Sequence, residues 1–209
     1  MTLDTLLQTL GYPLLLVVMI ALWVKSVRQP ESRRFWTLLA LAWTMNLLGN
    51  VAWIVHDLVT TQPLDNFSPV DIFYVAHYAL IAAALWRTPA SLPRRAGLWI
   101  VAAMLVVNAI VWTVCYTPAM SQRGGAWTNF LGVAMYPVLD AGLVTLAAVR
   151  YRTVRYLAAR RSTWKQITLL MLCSMLCYAL ANTFNMIGYV FSTSAIGLLP
   201  TLFWLLTDV

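Results

Sequence analysis

Residues 96–116 read AGLWIVAAMLVVNAIVWTVCY, with no charged side chain anywhere in the run. At a helical rise of about 1.5 Å per residue, such a stretch covers the roughly 30 Å hydrocarbon core of a bilayer. Six further apolar runs flank it on either side. Together they predict spans at about 5–26, 34–58, 69–87, 95–116, 127–150, 164–189 and 193–209, the last one short. Over the whole chain 61% of residues are apolar and 10% charged, against about 25% charged in a soluble domain. The expectation is an all-α, polytopic membrane protein with seven transmembrane helices in a single domain, 1–209. No room remains for a soluble catalytic domain. Cys115, Cys173 and Cys177 all lie within apolar runs; they have neither metal-site nor disulfide-framework spacing and read as small apolar residues.

The net charge of +7 does not point to nucleic acid, because of where the charges fall. One loop carries Lys25, Arg28, Arg33 and Arg34, and a second carries Arg87, Arg94 and Arg95. A third carries Arg150, Arg152, Arg155, Arg160, Arg161 and Lys165, which leaves Arg123 alone on the other side. Basic residues confined to alternate loops follow the positive-inside rule. They predict an outside amino terminus, a cytoplasmic carboxyl terminus, and multi-pass residence in a cell membrane, a bacterial inner membrane being the natural setting. The loop after the second span, with Asp57, Asp65 and Asp71 and no basic residue, then faces outward. The first run is not a cleaved signal peptide, since its positive charges follow it and no small-x-small site precedes Lys25.

A weak internal repeat runs through the chain. Tyr12-Pro13-Leu14-Leu15 in the first span parallels Tyr136-Pro137-Val138-Leu139 in the fifth. Each is followed by a basic loop. Then comes a helix that opens with a tryptophan, Trp36 or Trp164, and carries asparagines past its middle: Asn46 and Asn50, then Asn182 and Asn185. A parallel 3+1+3 arrangement follows, with repeat 1 at about 5–87, a linker helix at 95–116 and repeat 2 at about 127–209. Repeats of this kind place a site at their interface near the midplane. Shared membrane composition explains such a match equally well.

Ionisable groups inside a bilayer are costly unless paired or hydrated, so each is a candidate for function. Asp140 lies near the middle of the fifth span, one turn after Pro137. An apolar surrounding favours the neutral acid, which would make Asp140 a proton donor; a hydrogen bond to a neighbouring helix is the structural alternative. Asp71 sits in Ser68-Pro69-Val70-Asp71, a segment suited to starting and capping a helix. Asp71, Tyr74 and Tyr78 share one helical face with His77 beside them, while His56 and Asp57 end the second span on the same outer side. A shared polar pocket mouth is the expectation. Asn46, Asn50 and Trp53 form an i, i+4, i+7 stripe, and Asn182 and Asn185 are spaced i, i+3. Interhelical hydrogen bonding accounts for amides in such places, at about 0.6 kcal/mol each. Among ten tryptophans, Trp23, Trp36, Trp86, Trp99, Trp127 and Trp164 lie near span ends, as belt residues do. Trp43, Trp53, Trp112 and Trp204 lie deeper, where aromatic faces either pack or stabilise a cation.

No G-x-S-x-G, H-E-x-x-H, Walker loop or Cys-x-x-Cys occurs, and the seventh span has no lysine for a retinal Schiff base. Two histidines far apart make no metal site, so neither a metal nor a cofactor is expected. The partners expected are the lipid bilayer and a lipophilic small molecule, with the oligomeric state left open.

Gly49-Asn50-Val51-Ala52-Trp53, after a tyrosine-containing first helix and a short basic loop, resembles the Asn-x-x-Trp-Glu region of membrane-integral terpene cyclases, the seven-helix enzymes of meroterpenoid and indole-terpenoid pathways. The likeness covers the first three spans best and the seventh loosely, where Asp208 stands for that family's acidic residue. Ile54 occupies the glutamate position, so the acid role would fall to Asp140, Asp71 or Asp57. The resemblance implies protonation of an alkene or epoxide by an aspartic acid, in an intramembrane pocket lined by Asn50, Trp53, Tyr74, His77, Tyr78, Tyr136, Asn182 and Asn185. A second resemblance covers the whole chain. Ser68-Pro69-Val70-Asp71-Ile72-Phe73-Tyr74 and Tyr136-Pro137-Val138-Leu139-Asp140 are similar to the membrane input domains found ahead of GGDEF and EAL modules in bacteria, which implies a ligand-binding sensory domain. The absence of an output module within the 209 residues tips the expectation towards a small cyclase-type enzyme, with the sensor as the alternative. A 3+1+3 transporter is the third reading, although the Pro-Gln signature of sugar-efflux carriers is missing.

Overall fold

A computed structural model describes residues 3–60, 68–88, 91–122, 127–157, 162–191 and 199–207. Among these residues the chain forms seven α-helices and no strand: α1 Leu3–Arg28, α2 Arg33–Val59, α3 Asp71–Trp86, α4 Ala96–Gln122, α5 Trp127–Leu157, α6 Ser162–Phe191 and α7 Leu199–Thr207. Asp65, Arg123, Arg160, Arg161 and Asp208 lie outside the described residues. Four helices, α1, α2, α4 and α6, are long and apolar enough to cross a membrane, and α3 is a shorter apolar helix of 16 residues. The chain is an all-helical membrane protein by that measure.

Helices rather than any other element form because a bilayer offers no partner to backbone N–H and C=O groups; only a segment that satisfies them internally is viable there. The surface agrees. Large apolar side chains point outward along α1 and α4, with Val27 75%, Leu98 70% and Leu105 63% exposed. The inside is more mixed. Phe35, Ile81 and Leu85 share the fully buried class with His77, Thr168 and Arg150.

Two helices outlast the apolar runs that predict them. α4 continues to Gln122, and α5 continues to Leu157, past Arg150, Arg152 and Arg155. Arginine is a good helix former, so nothing local stops α5 where the charges begin. Arg150, expected in a cytoplasmic loop, is instead only 2% exposed, and its Nη2 donates to the Trp86 carbonyl at 2.7 Å. A cation at the carboxyl end of α3 meets both an unsatisfied carbonyl and the negative pole of that helix.

Neighbouring helices pack in sequence order, α1 on α2 on α3 and α5 on α6 on α7. Between these groups α3 meets α5 and α1 meets α7, while α4 packs against α5 and α6. The set of contacts among the two triplets is therefore unchanged when α1, α2, α3 are exchanged with α5, α6, α7. At the end of the bundle that carries the basic turns, the structure is tightly closed. Trp36 Nε1 donates to Gln29 Oε1 at 2.7 Å and Ser32 Oγ at 3.0 Å, across the 3-10 turn Pro30–Ser32 that joins α1 to α2. Phe35 lies edge-on to both Trp36 and Trp164, 5.0 and 5.1 Å between ring centroids, and so bridges α2 to α6.

Replacing Arg150 by methionine keeps most of the buried stem but removes the donor to Trp86. Hydrogen bonds to charged groups contribute about 1.5–3 kcal/mol. The expected result is a loss of that size, read as a lowered thermal unfolding midpoint in detergent, with Arg152→Met, on an exposed site, close to wild type.

Candidate functional site

α3 begins with a reciprocal cap. Val70 N–H donates to Ser68 Oγ at 3.3 Å, and Ser68 N–H donates to Asp71 Oδ2 at 2.6 Å. This is the capping-box arrangement, with aspartate in the acidic position. It fixes Asp71 at the end of the bundle opposite the basic turns, buried to 5% exposure. Its other oxygen, Oδ1, accepts from the Tyr136 hydroxyl on α5. Cap and cross-link together hold α3 against α5 at that end.

One turn deeper lies a second carboxyl. Asp140 Oδ1 accepts from Tyr78 of α3 at 2.6 Å, and Oδ2 accepts from Asn182 Nδ2 of α6 at 2.9 Å. Asn182 Nδ2 also donates to the Tyr78 hydroxyl at 2.9 Å, so the three side chains close a triangle. Asn182 Oδ1 in turn accepts from Trp204 Nε1 of α7 at 3.4 Å. Four helices meet around one aspartate that is itself 3% exposed.

Above this triangle is a cavity of about 550 Å³. Its walls come from every helix except α4, and its lining residues run from Asp71, Gly11 and Gly132 near the end opposite the basic turns to Leu15 and Asn46 at mid-helix and Thr207, whose carbonyl accepts from Ser174. α2 contributes Asn46, Asn50 and Trp53, and α6 contributes Tyr178, Asn182 and Asn185. Both sets are spaced i, i+4, i+7. α3 contributes Asp71 and Tyr74, and α7 contributes Thr201 and Trp204, both spaced i, i+3. Tyr12 of α1 and Tyr136 of α5, each followed by proline, complete the correspondence. Each middle helix also bonds its amide to an aromatic of the third helix: Tyr74 hydroxyl to Asn50 Oδ1 at 3.2 Å, Trp204 to Asn182 as above.

Of the expected site residues, Asp71, Asn50, Trp53, Tyr74, Tyr136, Asn182 and Asn185 line this cavity. Asp140 and Tyr78 stand one layer behind Asn182. His77 also lies behind the wall. Its Nδ1 is 2.8 Å from the Ala42 carbonyl, which can only accept, so the proton sits on Nδ1. Trp43, Tyr78 and Tyr178 surround the imidazole at 5.2–5.9 Å between centroids. Asp57 is apart from the cavity. Its side chain is 68% exposed and lies 3.6 Å from His56 on the end of α2. Asp71 lines the cavity while His56 and Asp57 do not, although Asp57 stands close enough to the lining Tyr12 to act on it electrostatically; residues 61–67, which join them to Asp71, lie outside the described residues.

Tyr178 and Thr201 belong to the walls although no chemistry marks them in sequence; Tyr12, marked there by the repeat, and Trp204, marked by its depth, belong to the walls as well. A signal for Tyr178 exists: it lies one turn before Asn182, as Asn46 lies one turn before Asn50. Several wall groups are uncommitted. Among the described residues, the side-chain amides of Asn46 and Asn185, the Tyr12 hydroxyl and the Trp53 indole make no hydrogen bond within the protein. Comparison with protein-family models, curated proteins and solved structures finds no match to this chain.

Gly49 governs the α2 wall. A Cβ there would stand 2.8 and 2.9 Å from ring atoms of Tyr74. The hydroxyl-bearing end of the ring comes this close to α2 only because the glycine is bare, and that placement brings its hydroxyl to Asn50. Gly142 is similarly close to Met104, at 2.9 Å from Sδ, but a thioether on a flexible stem moves cheaply. Gly49→Ala is expected to destabilise by about 1–3 kcal/mol, as overpacking does, and to push Tyr74 into the cavity. Gly142→Ala should cost clearly less. Thermal unfolding of the two variants side by side checks the ordering, and equal losses would contradict it.

Proposed function

We propose that this chain is a seven-span membrane module, amino terminus outside and carboxyl terminus inside, that binds a small amphipathic molecule in the cavity between two three-helix repeats. The observation that carries the reading is the composition of the cavity wall. Matching stripes on α2 and α6, and matching pairs on α3 and α7, bring uncommitted amides and aromatic rings to one cavity. Polar side chains are expensive in a bilayer, and an amide kept there without a partner is best explained by a partner that comes and goes. The volume lies within the usual range for small-molecule sites, about 300–1,000 Å³. The exchange pattern of helix contacts, with α4 standing outside it, supports the 3+1+3 organisation. The basic turns at the opposite end support a pocket that opens outward. A ligand-receiving sensory domain, the kind implied by the likeness to bacterial input domains, fits these features.

The acid-initiated cyclisation of a lipophilic prenylated substrate remains the second reading, and one observation favours it: the Asp71 carboxyl shares the cavity with six aromatic side chains. Against it stand the engagements of both acids. Asp140 reaches no cavity wall and has both oxygens bonded, and both oxygens of Asp71 accept hydrogen bonds as well. A general acid has to reach the atom it protonates.

Cysteine substitution tests the pocket. In a chain with Cys115, Cys173 and Cys177 replaced by serine, Asn185→Cys is expected to react with methyl methanethiosulfonate, as Thr60→Cys on the outer end of α2 does. Reaction at Thr60→Cys with none at Asn185→Cys removes the open pocket. Incubating the purified protein with an epoxidised farnesyl phenol separates the two readings: recovery unchanged supports binding, whereas a cyclic product lost in Asp71→Asn supports the enzyme.

Orientation has its own test. Thr153→Cys, between Arg152 and Arg155, should resist an impermeant maleimide in intact cells and label only after permeabilisation, with Thr60→Cys labelled in both. The reverse pattern overturns the topology.

A further inference from the structure

A buried carboxyl without a cationic partner is an electrostatic debt in a low-dielectric surrounding. Asp71 is one. Among the described residues no lysine, arginine or histidine lies within 4 Å of it, and none lines the cavity it faces. The two hydrogen bonds it accepts orient it but bring no positive charge. Each carboxylate oxygen has two acceptor sites, so Tyr136 and Ser68 leave capacity on both atoms. The cavity it faces is lined by six aromatic side chains, Tyr12, Trp53, Tyr74, Tyr136, Tyr178 and Trp204; of these Tyr136 bonds the carboxyl and Tyr74 stands three residues on along the same helix. An aromatic ring is negative over its face and attracts a cation placed there, most strongly once water is excluded. Tyr74 and Tyr136 meet at 82° with centroids 6.3 Å apart, so one of them turns its face where the other turns its edge. The walls add amides, which serve cations and neutral groups alike. Nothing among the described lining residues offers positive charge to an anion.

Resting on the proposed binding function, we infer that the ligand is an organic cation, an amine or quaternary ammonium carried on an apolar body. The ammonium sits between the Asp71 carboxyl and the rings of Tyr74 and Tyr136, and the apolar part lies deeper, against Leu15 and Leu205. An anionic ligand of the same shape meets no positively charged group among the described lining residues.

Three probes of matched shape test this: benzyltrimethylammonium, its neutral carbon isostere neopentylbenzene, and anionic phenylacetate. Binding to the full chain in nanodiscs is measured by equilibrium dialysis against empty discs. The cation is expected to bind at least tenfold more tightly than the isostere, and phenylacetate not at all. Asp71→Asn, which keeps the shape of the cap, should erase the preference, and Glu31→Gln at the basic end should leave it intact. Should Asp71→Asn fail to fold, Trp53→Leu serves in its place and should weaken cation binding several-fold while sparing the isostere. Equal binding of cation and isostere, unaffected by Asp71→Asn, overturns the inference and leaves the binding pocket standing. If none of the three binds, the inference also falls, and the reactivity of Asn185→Cys separately decides the fate of the pocket.

Discussion

The triangle of Tyr78, Asp140 and Asn182 is the constraint on which the rest of the bundle depends. Apolar packing between helices in a bilayer is weakly directional, because lipid tails are as apolar as leucine. Something else has to set which faces meet. Here three donor–acceptor pairs of 2.6–2.9 Å tie α3, α5 and α6 at one level, and Trp204 brings α7 to the same point. A buried polar network of this kind is favourable only when every member is satisfied. Asp140 meets that condition: both of its oxygens are used. Its role in the structure is thus to hold helices in register, and the cavity floor is a consequence of that register.

The two ends of the bundle are built differently. At the basic end, Phe35, Trp36 and Trp164 close α2 on α6, and Arg150 seals the end of α3. At the other end, the helices spread around about 550 Å³ of space. The glycine at position 49 and the reciprocal cap at Ser68–Asp71 keep that space open by drawing Tyr74 and Asp71 back to the wall. The aromatic closure and the cavity thus lie at different levels of the same bundle.

Asp71 and Asp140 show how similar residues acquire different work. Both are buried acids that accept a tyrosine hydroxyl. Asp140 is enclosed by side chains from three helices and has no face towards the cavity. Asp71, at a helix start, has its backbone-bound oxygen on one side and the cavity on the other. Burial alone does not distinguish them; the difference lies in what stands on the remaining side of each carboxyl.

What the sequence determined by itself was the helical architecture, the distribution of charge and several of the wall residues. Helix formation in a membrane is local, each N–H bonding four residues back, so apolar runs report it directly. Stripes such as Asn46, Asn50 and Trp53 are equally local, because spacing along one helix decides what shares a face. The cap at Ser68–Asp71 was legible for the same reason. Only the tertiary structure decided which acid meets the cavity. Asp140 is hidden by Tyr78, 62 positions earlier, and by Asn182, 42 positions later. Of Asp57 and Asp71, both expected at one mouth, only Asp71 lines the cavity. Arg150, read as part of a loop, caps a helix 64 positions before it. Tyr178 looks like an ordinary membrane aromatic until its helix is placed beside α2 and α7 around the same space. Contacts between helices carry no local signal, since they depend on the rotation of each helix about its axis, and that rotation is set by partners far away in the chain.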